Sequence, residues 1–256
     1  MSAQTSDMDT QLTQRLKELR LPAVRGYYQR AAQVAQQENL SYEQYLLDLI
    51  ERECEVRRQK RVERLLRESR LPLEKTLATL EINRFPRRVV HQLRTLVEGS
   101  FLDRRENILV FGNPGSGKTH LVCAIGQELI TAGRRVYFIP CSLLVQELLR
   151  AKQSLTLARY LKRLHKYDVI IIDDIGYVQH DRDEMEVLFT LLADRYERGS
   201  VMITSNLPFS QWERIFHDPM VTAAAIDRLV HHSVILELNI LSYRMEQAKR
   251  KEVKAE

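Results

Sequence analysis

Hydrophobic residues recur at helical spacing over the first part of the chain. Leu12, Leu16 and Leu19 are four and three residues apart, which places them on one face of a helix. Residues 41–44 carry a capping-box pattern, a serine followed three residues later by a glutamine, which is typical of a helix N-terminus. Since no alternating strand pattern interrupts this region, we expect residues 1–70 to form a small all-helical N-terminal domain.

A different pattern begins at residue 106, where short apolar runs alternate with helical segments. The runs expected to form strands are 107–111, 135–139, 168–172, 200–204 and 234–238. Parallel strands require crossover helices, so this alternation predicts an α/β fold with a five-stranded parallel sheet flanked by helices. Residues 71–105 contain two proline breaks and are expected to be a connector with one short helix, which leaves 106–256 as the α/β domain.

One motif indicates the ligand of this α/β domain. The loop after the first strand matches the pattern G-x-x-x-x-G-K-[ST], and it consists of Gly112, Asn113, Pro114, Gly115, Ser116, Gly117, Lys118 and Thr119. Such a loop surrounds phosphates with backbone N–H groups at a helix N-terminus. Lys118 is expected to reach the β- and γ-phosphates and the Thr119 hydroxyl to bind Mg²⁺, with His120 also in the nucleotide site. ATP and Mg²⁺ are therefore the expected cofactors.

Polar residues end two further strands. Asp173 and Asp174 directly follow a run of four apolar residues. This location predicts that Asp173 holds Mg²⁺ through water and that Asp174 orients or deprotonates the attacking water. Asn206 follows the fourth strand and is expected to hydrogen-bond this water and the γ-phosphate, although a simple turn residue also fits that position.

Two arginines near the end of the chain are candidates for sensing the nucleotide. Arg228 comes just before the fifth strand, and an arginine there can enter the ATP site of a neighbouring subunit and stabilise transition-state charge. Arg244 follows the fifth strand and can report the nucleotide state from the same or an adjacent subunit. Taken by itself, the pattern at position 228 favours an ordinary surface arginine.

The excess positive charge lies in the N-terminal third. Residues 1–95 hold 18 Lys+Arg and 13 Asp+Glu, which accounts for the whole net charge of +5. Basic residues recur there at spacings of three and four on one helical face, and they are Arg57, Lys60, Arg61, Arg64 and Arg67. A merely solvated helix face is the alternative. The segregated charge favours binding to the backbone of double-stranded DNA with little sequence preference.

Composition argues against several other kinds of site and location. No run of eighteen apolar residues is present, so no membrane partner or span is expected. The first ten residues lack the basic start and apolar stretch of a secretory signal, and the expected location is the cytoplasm. The three cysteines, Cys54, Cys123 and Cys141, are far apart and form no CxxC pair, which disfavours a zinc site or a disulfide framework.

The motifs also occur in a recognisable order along the chain. They are LKELRLPAVRGYY, LSYEQYLLDLIERE, GNPGSGKTH, VIIIDDIGY, TSNLPFSQW, AIDRLVHH and ILSYR. From about Leu16 to Arg244 the chain resembles the IstB family of insertion-sequence transposition helper ATPases, which are related to the DnaC and DnaI helicase loaders. The resemblance implies a AAA+ ATPase domain with little or no lid and ATP-dependent homo-oligomers with ATP sites at subunit interfaces. It also implies assembly on target DNA and a transposase as partner.

The resemblance implies a role for each matching residue. Lys118 and Thr119 correspond to Walker A, Asp173 and Asp174 to Walker B, Asn206 to sensor 1, Arg228 to an arginine finger and Arg244 to a sensor-2-like position. Two departures from the family pattern stand out. Most AAA+ proteins have glutamate where Asp174 stands, so slow hydrolysis that controls assembly is expected. Relatives often have GESYR where residues 239–244 have NILSYR, which leaves the role of Arg244 open.

Three other functions fit part of the pattern. A replicative helicase loader has the same nucleotide motifs but acts on single-stranded DNA, so strand preference distinguishes it from a transposition helper. A nucleoside or small-molecule kinase shares the phosphate loop, but the double aspartate and the basic helical N-terminus argue against it. An ATP-binding scaffold without useful turnover is compatible with the short side chain of Asp174.

Overall fold

The computed structural model describes residues 2–176, 182–216, 218–240 and 242–243. The chain forms two compact units, Met1–Arg64 and Leu65–Glu256. None of the helices in the described ranges is long and apolar enough to cross a membrane.

The first unit consists of two helices and most of a third, which ends in the second unit. They are α1 (Ser2–Glu18), α2 (Pro22–Glu38) and α3 (Tyr42–Ser69). Its small core is formed by Leu16, Val24, Ala31 and Leu49. The predicted helix over the N-terminal leucines is present, but only Leu16 of the three is buried, since Leu12 and Leu19 are 41% and 67% exposed.

A buried carboxylate connects α3 to the start of α2. Glu53 accepts hydrogen bonds from the backbone N–H groups of Ala23 at 2.8 Å and Val24 at 3.2 Å. Two N–H groups that a helix cannot satisfy within itself thereby gain a partner. Burial by itself raises the pKa of Glu53, but the hydrogen bonds from Arg57, Val24 and Ala23 outweigh it, and the net pKa is lowered.

The second unit contains the remaining elements. Its helices are α4 (Arg87–Val97), α5 (Ser100–Asp103), α6 (Lys118–Thr131), α7 (Cys141–Gln153), α8 (Leu157–Leu164), α9 (Arg182–Arg195), α10 (Glu213–Phe216) and α11 (Pro219–Val230). Short 3-10 helices span Ile82–Arg84 and Phe209–Gln211. Residues 71–105, suggested by the sequence as a connector, pack in this unit, where Leu71, Phe85 and Phe101 are buried.

The predicted parallel sheet is confirmed. Its strands are β1 (Asn107–Gly112), β2 (Val136–Pro140), β3 (Val169–Asp173), β4 (Ser200–Ser205) and β5 (Ser233–Leu238). They pair in the order β2-β3-β4-β1-β5, all parallel. Because β4 lies between β1 and β3, the ends of these three strands meet at one edge of the sheet. The apolar runs of β1 and β3 are buried by helices on the two faces, as a parallel sheet requires.

Candidate nucleotide-binding site

The predicted phosphate loop connects β1 to α6 and encloses the side chain of Lys118. The Lys118 ammonium nitrogen lies 2.9 Å from the carbonyl oxygen of Gly112 and 3.1 Å from that of Asn113. The backbone of Gly115 and Gly117 is left-handed, with φ of 77° and 92°, a conformation that glycine adopts without steric cost. The sequence fits the loop because its glycines stand where the backbone takes these angles.

Thr119 and Asp173, which are 54 positions apart, meet at the edge of the sheet. Thr119 Oγ1 lies 2.9 Å and 3.1 Å from the two carboxylate oxygens of Asp173. Thr204, at the end of β4, donates a further hydrogen bond to Asp173 Oδ1 at 2.6 Å. Sequence reasoning missed Thr204, although it belongs to the same polar strand end as Asn206. Because β4 lies between β1 and β3, the Thr204 hydroxyl lies next to the Asp173 carboxylate.

These oxygen atoms fit a magnesium ion that is shared with a nucleotide. Mg²⁺ in such sites takes one or two protein oxygens and completes its octahedral shell with phosphate oxygens and water. The Thr119 hydroxyl and the Asp173 carboxylate supply two suitable oxygen donors on neighbouring elements. Within the described ranges, no group of three or more His, Cys, Asp or Glu side chains forms an all-protein metal site. The donor set therefore fits a metal that arrives with phosphates.

Asp174 and Asn206 lie just beyond the ends of β3 and β4. The N–H of Asp174 donates to Thr204 Oγ1 at 2.8 Å, and its backbone is left-handed with φ of 59°. Asn206 Oδ1 is buried and has no hydrogen-bond partner among the described residues. It lies against Gly176, where an added Cβ would be only 2.5 Å away. A buried amide oxygen of this kind requires a donor such as water.

A pocket of about 400 Å³ opens over the phosphate loop. Its walls include loop residues Pro114, Ser116 and Lys118 together with Asp174 and, less expectedly, the segment 75–85. The residues of the pocket that sequence reasoning missed are Lys75, Thr79, Leu80, Glu81, Arg84, Phe85, Ile240 and Tyr243. No motif marks the six residues between 75 and 85, whereas Ile240 and Tyr243 belong to the ILSYR motif, of which the sequence singled out only Arg244.

Two residues of α6 attach the segment 72–80 to the phosphate-loop helix. His120 Nε2 lies 3.1 Å from Thr79 Oγ1 and 3.0 Å from the carbonyl oxygen of Thr76. Gln127 Nε2 donates to the carbonyl oxygens of Pro72, Leu73 and Lys75, at 3.2, 3.4 and 3.2 Å. His120 was predicted as a nucleotide ligand, and in the structure it lines the pocket and contacts the segment that forms one of its walls.

A family model for IstB-like ATP binding proteins matches residues 14–251 of the chain. The chain belongs to the IstB-like ATP-binding protein family. It is 43% identical to an insertion sequence ATP-binding protein of Sinorhizobium fredii, over 91% of this chain and 78% of that protein. It is 38% identical to the insertion sequence IS5376 ATP-binding protein of Geobacillus stearothermophilus, over 92% of this chain and 94% of that protein.

The fold of this IstB-like protein has a counterpart among solved structures. AMPPCP-bound DnaA from Aquifex aeolicus superposes with a TM-score of 0.57 at 16% identity, over 73% of this chain and 57% of that chain. At this level of identity the likeness shows the fold alone, and the AAA+ fold is confirmed. ATP binding is the shared property that the family description states.

Arg228 of the IstB-like protein is far from its own phosphate loop. The residue lies near the end of α11, where its guanidinium donates to the carbonyl oxygen of Ala224 at 3.2 Å and sits 4.9 Å from the ring centre of Phe189. It lines a small cavity together with Asn107, the first residue of β1, whereas the phosphate loop follows the last residue of that strand. The length of β1, roughly 17 Å, therefore separates Arg228 from the nucleotide of the same subunit.

Arg244 lies outside the described residues, but the segment just before it is placed. The N–H of Tyr243 donates to the carbonyl oxygen of Gly115 at 2.9 Å, and the guanidinium of Arg84 sits 5.0 Å from the Tyr243 ring centre. A side chain at Gly115 would collide with Ser242. The chain after β5 thus packs directly on the phosphate loop.

The basic face predicted on α3 is exposed, but its first member has a structural partner. Lys60, Arg61, Arg64 and Arg67 are all exposed. Arg57 Nε lies 2.9 Å from Glu53 Oε1, and its terminal nitrogen donates to the carbonyl oxygen of Arg20 at 2.6 Å. Arg57 therefore helps to hold the helices of the first unit together.

Proposed function

We propose that this IstB-like protein is an ATPase that assembles on target duplex DNA and recruits or stimulates a partner transposase. The observation that carries the ATPase part is the set of hydrogen bonds that joins Thr119, Asp173, Thr204 and the N–H of Asp174. A structural turn has no need for a hydroxyl, a buried carboxylate and a second acid converging beside an enclosed lysine.

The residues divide the chemistry of hydrolysis between them. Lys118 binds the β- and γ-phosphates, while Thr119 and, through water, Asp173 would hold Mg²⁺, which would neutralise the charge on those phosphates. Asp174 orients the attacking water and takes its proton, and the buried Asn206 Oδ1 accepts a hydrogen bond from the same water. The shorter side chain of Asp174, compared with glutamate, fits slow hydrolysis in which ATP controls assembly.

The position of Arg228 supports an oligomeric enzyme. Since β1 separates it from the phosphate loop of its own subunit, Arg228 serves as a finger only in the ATP site of a neighbour. Subunits joined in this way have an ATP site at each interface, and ATP binding then favours assembly.

Duplex DNA and a transposase are proposed as the macromolecular partners. The relatives are described as insertion sequence ATP-binding proteins, which places them in mobile DNA elements. The exposed basic residues Lys60, Arg61, Arg64 and Arg67 offer a surface for phosphates. A replicative helicase loader remains the second candidate because the nucleotide motifs do not distinguish the two.

ATP turnover without DNA, with single-stranded DNA and with duplex DNA tests the proposal, with Lys118→Ala as the inactive reference. Stimulation mainly by duplex supports the transposition helper. Stimulation mainly by single strands would replace it with the helicase loader. Turnover that responds to neither form of DNA would contradict both.

A further inference from the structure

The turn between α7 and α8 presents a leucine to solvent. Leu155 is 95% exposed and has left-handed backbone with φ of 55°. Its N–H donates to the carbonyl oxygen of Lys152 at 3.0 Å and the N–H of Thr156 donates to that of Ala151 at 2.8 Å, which is the hydrogen-bond pattern of a Schellman helix end. Glycine suits this position best, and a side chain there costs conformational energy.

Neither the backbone nor packing accounts for the leucine. The other non-glycine residues with left-handed backbone in the described ranges are polar or charged, and they are Arg20, Asn39, Arg70, Arg105, Asp174 and Glu197. Leu155 differs because it is apolar and contributes almost no buried surface in the isolated chain. Leu155 combines an exposed apolar side chain with a costly backbone conformation, and this combination makes it a candidate contact for a partner.

The helix that follows this turn has a strongly basic outer face. Residues 150–166 contain six Lys or Arg residues and no Asp or Glu. The exposed basic residues of α8 and the turn after it recur at spacings of three and four, and they are Arg159, Lys162, Arg163 and Lys166. Tyr160, Leu161 and Leu164 face the core on the opposite side. Residues 96–256 carry as many acidic as basic residues, but none of those acidic residues lies within residues 150–166. The net charge of the second part of the chain therefore does not reveal this basic face.

Part of this charge is already neutralised within the protein. Lys152 lies 2.9 Å from Glu186 and 3.5 Å from Asp183, near the start of α9. These ion pairs are exposed and contribute little, so the turn that carries Leu155 is held by the backbone hydrogen bonds of the helix end. The basic residues of α8 and of the turn after it, Arg159, Lys162, Arg163 and Lys166, are exposed.

We infer that the α7–α8 turn contacts duplex DNA, with the basic face of α8 on the phosphates and Leu155 inserted between base pairs. This inference rests on the proposed DNA-binding function and names the surface and the manner of contact. A row of like charges selects a polyanion because each neutralised phosphate releases counterions. Apolar side chains that enter the minor groove unstack a base step and bend the duplex. A leucine held by a rigid turn beside phosphate-binding residues is suited to that task.

The test uses the full-length protein with ATP and a duplex that carries 2-aminopurine, whose fluorescence rises when the base is unstacked. Leu155→Gly is the informative variant, because it removes the side chain and also relaxes the left-handed backbone, so the fold is preserved. Leu143→Ala is the control, since Leu143 is another exposed leucine and lies on α7, outside the turn. Duplex affinity and oligomer mass are measured on the same samples.

We expect wild type and Leu143→Ala to raise the fluorescence, and Leu155→Gly to lose that rise with roughly tenfold weaker duplex binding. Charge reversal at Arg159 and Lys162 should weaken binding and flatten its salt dependence, by about 0.9 in the logarithmic slope for each DNA phosphate that the protein no longer neutralises.

An unchanged fluorescence rise in Leu155→Gly overturns the inference. A change in oligomer mass with the fluorescence rise retained also overturns it, and assigns Leu155 to a contact between copies of the chain. In both cases the wild type still binds duplex and the proposed function stands. Failure of the wild type to bind duplex would remove the proposed function and this inference together.

Discussion

Thr204 donates a hydrogen bond of 2.6 Å from its hydroxyl to the Oδ1 atom of Asp173. The same hydroxyl accepts the N–H of Asp174 at 2.8 Å. One side chain on β4 therefore positions both acids that follow β3, although sequence motifs name only the acids. The proposed metal-binding carboxylate and the proposed water-activating residue are coupled through a single oxygen atom.

Replacing Thr204 by valine should uncouple the two acids without creating a cavity, because the two side chains have nearly the same shape. The variant loses both the hydrogen bond to the charged Asp173 and the acceptor of the Asp174 N–H. We expect turnover to fall at least roughly tenfold, the effect of losing one hydrogen bond to a charged group, while ATP binding is kept. Steady-state turnover and nucleotide binding are measured in parallel. Thr190→Val is the control, since the Thr190 hydroxyl donates to a carbonyl oxygen of its own helix. Equal turnover in the two variants would show that Thr204 is not needed for positioning.

Asp174→Asn should separate ATP binding from hydrolysis. Asparagine tolerates left-handed backbone as well as aspartate does, so the variant keeps the local fold and loses only the basic oxygen. Turnover is expected to fall by about 100-fold, the low end for a general base, with ATP affinity unchanged. Asp183→Asn, at an exposed carboxylate on α9, provides the comparison. Turnover within twofold of wild type would exclude Asp174 as the base.

Arg228→Ala should bind ATP normally and lose turnover by a factor on the order of 10³, as expected for a finger that acts on a neighbouring subunit. The decisive measurement mixes this variant with Lys118→Ala. Each variant is inactive alone, but an interface between them combines an intact lysine with an intact finger, so the mixture should recover turnover. Arg198→Ala, which removes an exposed arginine paired with Asp194, should resemble wild type. A mixture as inactive as its components would contradict the role in trans.

The basic residues of α3 should differ in what their loss affects. Charge reversal at Arg61 and Arg64 is expected to weaken duplex binding and reduce its salt dependence, with little change in stability. Arg57→Ala should also lower the free energy of unfolding, because Arg57 bridges Glu53 and the backbone of Arg20. Binding at several salt concentrations and urea unfolding measure the two effects. An unchanged salt dependence after reversal at Arg61 and Arg64 would place the DNA surface elsewhere.

Glu53 should make the stability of the helical unit depend on pH. Its pKa in the folded protein lies below its ordinary value of 4.5. The ionised form is therefore the stabilising one, and its contribution is complete above pH 4.5 and disappears as the pH falls through the lowered pKa. Glu53→Gln is expected to cost about 1 kcal/mol near neutral pH and progressively less in acid. Urea unfolding followed by circular dichroism from pH 7 to acid measures this difference.

The exposed Glu55, paired with Arg58, is the matched site for that experiment. Glu55→Gln should leave the pH dependence of unfolding close to that of wild type, since exposed ion pairs contribute little. A constant stability difference between wild type and Glu53→Gln at all pH values would mean that the ionisation of Glu53 does not contribute.

Local patterns in the sequence were sufficient for the phosphate loop and for the kind of sheet. The loop is contiguous, so its glycines, Lys118 and Thr119 specify their own conformation and chemistry within eight residues. The alternation of apolar runs with helices was likewise sufficient for five parallel strands, because parallel neighbours require crossover connections. The location of Asp173 beside the phosphate loop was also predictable, because the carboxyl ends of parallel strands lie at the same edge of the sheet.

The tertiary structure decided what depends on strand order and on contacts between distant segments. No local signal places β4 between β1 and β3, and only this order brings Thr204 to Asp173. The wall formed by residues 75–85 was equally hidden, because irregular segments have no periodicity and their place is set by contacts such as that of His120 with Thr79. The sequence identified Arg228 as a candidate arginine finger. Its distance from the phosphate loop of its own subunit became known only from the structure, where the length of β1 separates the two. The sequence by itself determined sites whose residues are neighbours along the chain, such as the phosphate loop. The tertiary structure decided which distant residues lie in contact, because strand order and long-range packing have no local signal.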